Sequence, residues 1–70
     1  DTDALLARVA ADHAHLAPST IDGVKIDFED RWVHLRKSNT EPIVRIYTEA
    51  PTQAEAEALA AEFVTKLATR

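Results

Sequence analysis

From Val24 onward the hydrophobic residues recur at every second position, and this period constrains the chain more than any other feature. Val24, Ile26 and Phe28 alternate with Lys25, Asp27 and Glu29. After a turn at Glu29-Asp30-Arg31, Val33 and Leu35 alternate with Trp32, His34 and Arg36. Such alternation marks strands with one buried and one wet face, and a connection this short permits only antiparallel pairing. A third run over 43–50 sets Val44, Ile46 and Thr48 inward and Ile43, Arg45, Tyr47 and Glu49 outward. Three strands with a common apolar face need a cover, which the flanking segments must supply.

Both flanks read as helices. Pro51-Thr52-Gln53-Ala54-Glu55 is a capping box, with Thr52 as cap and a glutamate three residues on. Ala56, Leu59, Ala60, Phe63 and Leu67 then form a stripe at three and four spacing, and Glu62 and Lys66 pair on the exposed side. Upstream, 3–15 predicts a helix capped by Thr2, with acids at positions 1 and 3 favouring its start and Pro18 stopping it. Its stripe is Leu5, Val9 and Leu16 with Leu6 and His13. Asp22-Gly23 is a turn signal before the first strand.

The expected architecture is therefore α+β: an antiparallel sheet of three to four strands with one face covered by two helices, the optional strand being a short one near 19–21. All of 1–70 forms a single domain, with 1–18 as helix and linker and 19–70 as the core. At 70 residues the domain buries only about 60% of the surface its unfolded chain exposes, and without cysteine no disulfide or thiolate metal site reinforces it. The absence of cysteine fits a cytoplasmic protein. A chain opening on Asp1-Thr2-Asp3 without methionine is expected to be a piece of a longer one, and with no apolar run near 20 residues no membrane partner is expected.

Charge is unevenly placed. The formal net charge is −4, yet Arg31, Arg36, Lys37 and Arg45, half of the 8 basic residues, lie in a stretch whose only acid is Glu41. If Leu35 opposes Ile46 and Val33 opposes Thr48, the register that keeps both apolar sets together, Arg36 lies opposite Arg45. Like charges in that position repel by about 0.2–1 kcal/mol, and a bound anion reverses the sign. Ser38, Asn39 and Thr40 lie beside them, so guanidinium, hydroxyl and amide donors converge as they would around a phosphate. The alternative is a polar hairpin turn, for which Ser, Asn and Pro are equally suited, with solvated arginines on either side.

Arg36-Lys37-Ser38-Asn39-Thr40-Glu41-Pro42, with Arg45 three residues beyond the proline, resembles the phosphate-binding loop in the fourth, C-terminal domain of the α-D-phosphohexomutase family. The resemblance is strong over 22–50, looser over the following helix, and is not drawn for 1–20. Within the family it is to the bacterial phosphomannomutase/phosphoglucomutase branch, and Asn39 is similar to the mannose and glucose phosphate mutases, where the phosphoglucosamine branch usually carries glycine. The resemblance implies a TATA-binding-protein-like fold. It also implies that Arg36, Ser38, Asn39, Thr40 and Arg45 contact the phosphate of a phosphosugar substrate, while strand alternation points Lys37 away from Arg36. The parent enzyme it implies is an isomerase that interconverts hexose 1-phosphates and 6-phosphates through a bisphosphorylated intermediate. Its phosphoserine, its Mg2+ loop and its sugar-specificity loop lie in upstream domains, so this chain alone is expected to be inactive and to hold no cofactor.

Other chemistries fit less well. His13 and His15, two apart on a helix, diverge and lack a third ligand, which leaves them as solvated or half-buried histidines. Ser38 lacks nucleophile-elbow glycines, and His34 and Asp30 do not give it a triad geometry. Asp27, Glu29 and Asp30 read as solvated charges at a turn rather than as Mg2+ ligands. Trp32, His34 and Tyr47 share the outward face, which suits a domain contact or a sugar contact. Two rival classes remain. A double-stranded RNA-binding module has the same element order, but needs basic residues where Glu55 and Glu57 stand, and the acidic balance argues against nucleic acid. A protein-interaction domain would bind its partner independently of Arg36 and Arg45.

Overall fold

The computed structural model describes residues 2–38 and 43–68. Helix α1 spans Thr2–Asp12 and is followed by a 3-10 turn over Ala14–Leu16. Strands β1 (Val24–Asp27), β2 (Trp32–Lys37) and β3 (Val44–Glu49) form one antiparallel sheet in sequence order, and helix α2 spans Gln53–Ala68. The α+β class expected from the alternation is the one observed. In place of a fourth strand there is an isolated pairing of Ser19 with Lys25, made by two backbone hydrogen bonds of 2.8 and 2.9 Å.

Alternation sets the register. Val24 faces Leu35 and Ile26 faces Val33 across β1–β2, while Leu35 faces Ile46 and Val33 faces Thr48 across β2–β3. Every inward residue of the central strand thus has an inward partner on both sides, and a slip of one residue would turn all of them to water. Ile26, Val33, Leu35 and Phe63 are fully enclosed, and Leu6, Val9, Val24 and Leu59 complete the buried core. Phe28 packs against this core from the end of β1, its ring 6.4 Å from that of Phe63.

The helix stripes meet the inward face as their spacing predicts. Glu55 N–H donates to Thr52 Oγ1 at 3.2 Å, so Thr52 caps α2, and Leu59 and Phe63 are its buried residues. Thr48 is inward but not wasted as a polar group, because its hydroxyl donates to the Ala56 carbonyl at 2.8 Å and ties β3 to α2. Lys66 lies 3.7 Å from Glu62, and its carbonyl accepts from Arg8 Nη2 at 2.6 Å, which joins the two helices.

The first helix departs from expectation in three ways. It ends at Asp12, short of 15, and the chain turns through Ala17 in the left-handed region (φ 49) before Pro18. Thr2 is the first helical residue rather than the cap, and Asp1 lies outside the described residues. His13 is buried, neither solvated nor half-buried, because the helix end folds onto α2: its ring lies 5.4 Å from Phe63 and Nδ1 is 2.8 Å from the Val9 carbonyl. A ring nitrogen facing a carbonyl must carry the proton, so Nδ1–H is the donor.

Candidate functional site

Arg36 lies directly opposite Arg45, on the face of the sheet away from the helices. The pairing between β2 and β3 runs from Trp32↔Glu49 to Lys37↔Val44 without a bulge. Ser38 N–H donates to the Ile43 carbonyl at 3.0 Å, which extends the same register one pair further. Hydrogen-bonded and non-hydrogen-bonded pairs alternate along an antiparallel ladder, so Arg36 and Arg45, two positions along, also form a hydrogen-bonded pair, with Cα atoms about 5.5 Å apart. Alternation puts Ser38 on the same face as Arg36, about 7 Å along the strand. Three of the five expected contact residues therefore converge at this end of the sheet. The other two, Asn39 and Thr40, lie outside the described residues, as do Glu41 and Pro42.

The basic cluster is not bare, because folding brings acids to it from elsewhere. Lys37, on the opposite face from Arg36, reaches Asp3 of α1 at 2.9 Å. Arg36 Nη2 is 3.3 Å from the Asp22 carboxylate. Arg31 lies at the far end of β2, away from the other three, with Nε 2.8 Å from Asp30 and Nη2 2.9 Å from Glu55. The Arg31 hydrogen bond holds the Asp30 carboxyl below its ordinary 3.8, and the same bond pushes the Arg31 guanidinium up. The stability this pair adds is complete above 3.8 and is lost as pH falls through the lowered value. Arg45 forms no ion pair among the described residues, which leaves it the exposed cation facing a partly neutralised Arg36.

Asp22 was read from sequence only as part of a turn. Its carboxylate meets Arg36, and its carbonyl accepts from His34 Nε2 at 2.6 Å. Extending the β1–β2 register past Val24↔Leu35 sets Gly23 opposite Arg36, and this was the signal that could have brought Asp22 to the site. The rest of the outward face carries Lys25, with Nζ 5.2 Å over the Trp32 ring, and His34 beside Tyr47 at 6.4 Å.

A cavity of about 390 Å3 lies at the other end of the sheet, between the β1–β2 turn and the end of β3 with the two residues after it. Asp27, Glu29, Asp30 and Glu49 line it together with Arg31, so acids outnumber the cation there and its charge has the wrong sign for a phosphate, and its lining includes none of the expected contact residues. Nor do these acids make a Mg2+ ligand set: Asp27 pairs with Lys25 at 3.3 Å, Asp30 with Arg31, and the described residues hold no group of three side chains placed for a metal. Among them, too, no helix is long and apolar enough to cross a membrane.

A family model described as phosphoglucomutase/phosphomannomutase, C-terminal domain, matches residues 1–66, and so extends beyond the loop and sheet to take in the first helix. A phosphoglucomutase/phosphomannomutase of Thermococcus kodakarensis is 45% identical over 58 residues, 80% of this chain and 13% of the relative. A probable phosphoglucosamine mutase of Methanopyrus kandleri is 47% identical over 45 residues, 64% of this chain and 10% of the relative. A phosphomannomutase/phosphoglucomutase of Pseudomonas syringae pv. tomato is 43% identical over 49 residues, 70% of this chain and 10% of the relative. The chain thus spans between 10% and 13% of the length of these relatives. They are archaeal and bacterial and carry both names, so the similarity is wider than the bacterial branch expected from the loop.

Proposed function

The chain belongs to the phosphoglucomutase/phosphomannomutase C-terminal domain family, and from that premise we propose that it binds the phosphate of a phosphosugar within a larger phosphohexomutase. Arg36 and Arg45 supply paired guanidiniums, and Ser38, Asn39 and Thr40 supply hydroxyl and amide donors. The observation that carries this reading is the bulge-free register that sets Arg36 opposite Arg45 beside the hairpin connection. A guanidinium offers parallel N–H donors to two oxygens at once, so two of them facing one point match a tetrahedral oxyanion better than a single lysine would.

In the parent enzyme this domain holds the phosphate that is not reacting, while residues outside this chain transfer the other between the 1 and 6 positions of a hexose, with Mg2+ bound there. Gripping the remote phosphate uses its binding energy to orient the sugar, which lowers the barrier at the distant reacting centre. The interacting surfaces are then the phosphosugar and the upstream domains.

Inorganic phosphate, carrying about −1.5 to −2 charges near neutral pH, should bind the 70-residue chain at about millimolar affinity, or about −4 kcal/mol. A titration followed by amide NMR should shift Ser38, Asn39 and Thr40 first, and Arg36→Ala with Arg45→Ala should abolish the response. Shifts that spread along α1 and α2, or that persist in the double variant, would reduce the loop to a polar turn.

A further inference from the structure

The segment before β1 is built to bring Asp22 to the arginine pair. Ser19 and Lys25 close it with two backbone hydrogen bonds. Gly23 within it adopts φ +71, and a Cβ there would come 2.1 Å from the Leu35 carbonyl oxygen and 3.2 Å from Arg36 Cα. Only glycine permits so close an approach of one backbone to another. The next residue back, Asp22, consequently touches β2 twice, through its carbonyl at His34 Nε2 (2.6 Å) and its carboxylate at Arg36 Nη2 (3.3 Å).

We propose that Asp22 is an internal counter-ion that competes with phosphate for Arg36 and so sets the affinity of the site. The inference rests on the phosphate reading above. Without Asp22 the arginine pair offers a charge of +2; with it the group carries 2 − 1 = +1, and an arriving dianion meets a carboxylate already at one guanidinium. The pair is exchangeable rather than locked. The Arg36 side chain is 49% exposed and the Asp22 side chain 66%, and ion pairs so open to water are weak. In the empty domain Asp22 offsets the repulsion between Arg36 and Arg45. When phosphate takes over that task, the carboxylate moves to solvent, and the backbone of 22–23, held by His34 and by the fit of Gly23, stays in place. The domain therefore discriminates by charge, since only an anion that binds both arginines more strongly than one carboxylate binds Arg36 displaces it.

The test uses inorganic phosphate as the probe, with wild-type chain and Asp22→Asn, each titrated by amide NMR at low ionic strength and again at about 0.3 M salt, where charges are screened within several ångströms. Asp22→Asn should bind phosphate about two- to fivefold more tightly at low salt, the factor set by a surface ion pair, and the gain should shrink at high salt. In the wild type the Asp22 and Gly23 amides should shift in step with Ser38. A purely structural role for Asp22 would give no salt-dependent gain. Equal or weaker binding by Asp22→Asn, with the wild type still responding at Ser38, overturns the competitor and leaves the phosphate site standing. If phosphate binds neither form, the site reading falls and the competitor falls with it.

Discussion

Phe63 occupies the point where α1, the sheet and α2 meet: its ring is fully enclosed, with His13 at 5.4 Å and Phe28 at 6.4 Å. Truncating an enclosed ring removes its burial and leaves a cavity that a small core cannot collapse around. Phe63→Ala should therefore cost about 3–5 kcal/mol, enough to unfold a domain of this size near room temperature. Calorimetry or far-UV circular dichroism would show it, and an unchanged melting curve would mean that the α2 stripe does not face the sheet. Phe63 was legible in the sequence because its spacing from Leu59 is helical. His13 was not, because the same kind of spacing says which face a residue is on but not whether another element will close over it. Asp22 was missed for a similar reason: a turn dipeptide announces local geometry and is silent about the strand that lies beside it.

At the scale of elements, the strands and their register were legible almost completely. A period of two and a requirement that all apolar sets share one face leave one pairing, and that pairing carried Arg36 to Arg45, whereas the β1–β2 turn is tighter than the expected Glu29-Asp30-Arg31, because Phe28 N–H donates to the Arg31 carbonyl at 2.8 Å. Helix α2 was equally clear at its start, where the Thr52 cap is local chemistry, although the Glu55 carboxylate of the expected box reaches Arg31. Removing that cap, in Thr52→Ala, should cost about 1 kcal/mol, which in a domain this short lowers the melting temperature by about 4–8 °C. A loss well below that range would mean that the Glu55 N–H finds water as a sufficient partner. The end of α1 was less legible. Its alanine-rich sequence stays compatible with helix to position 15, and tertiary packing of His13 and the 3-10 turn decides the boundary instead. The candidate site was readable as residues on a face, while the acids that meet them come from α1, where sequence pattern carries no information about Asp3, and from the segment before β1, where only the extended β1–β2 register points to Asp22.

For the whole molecule, a basic stretch in an acidic chain looked like a local surplus of charge, and folding reduces that surplus by bringing Asp3, Asp22 and Glu55 to it. The proposed division of labour also belongs to this scale. The purified 70-residue chain, supplied with Mg2+ and a hexose bisphosphate, should not interconvert glucose or mannose phosphates in a coupled assay, and turnover would refute that division. One further consequence follows from β2 being the central strand. Arg36 and Arg45 are hydrogen-bonded to each other across the ladder, and Leu35 beside Arg36 is fully enclosed and paired on both sides. Each of their backbone amides bonds across to or from an edge strand, β1 for Leu35 and β3 for Arg36 and Arg45, but both edges are packed on the enclosed core, so exposing the amides requires a strand to part from that core. In native-state hydrogen exchange, Leu35 and Arg36 should thus be among the slowest amides, with opening free energies equal to that of global unfolding. Faster exchange at Arg36 would reveal a local opening. If none exists, denaturant should abolish anion binding and tertiary structure at a single midpoint, because the guanidinium pair lasts as long as the folded domain does.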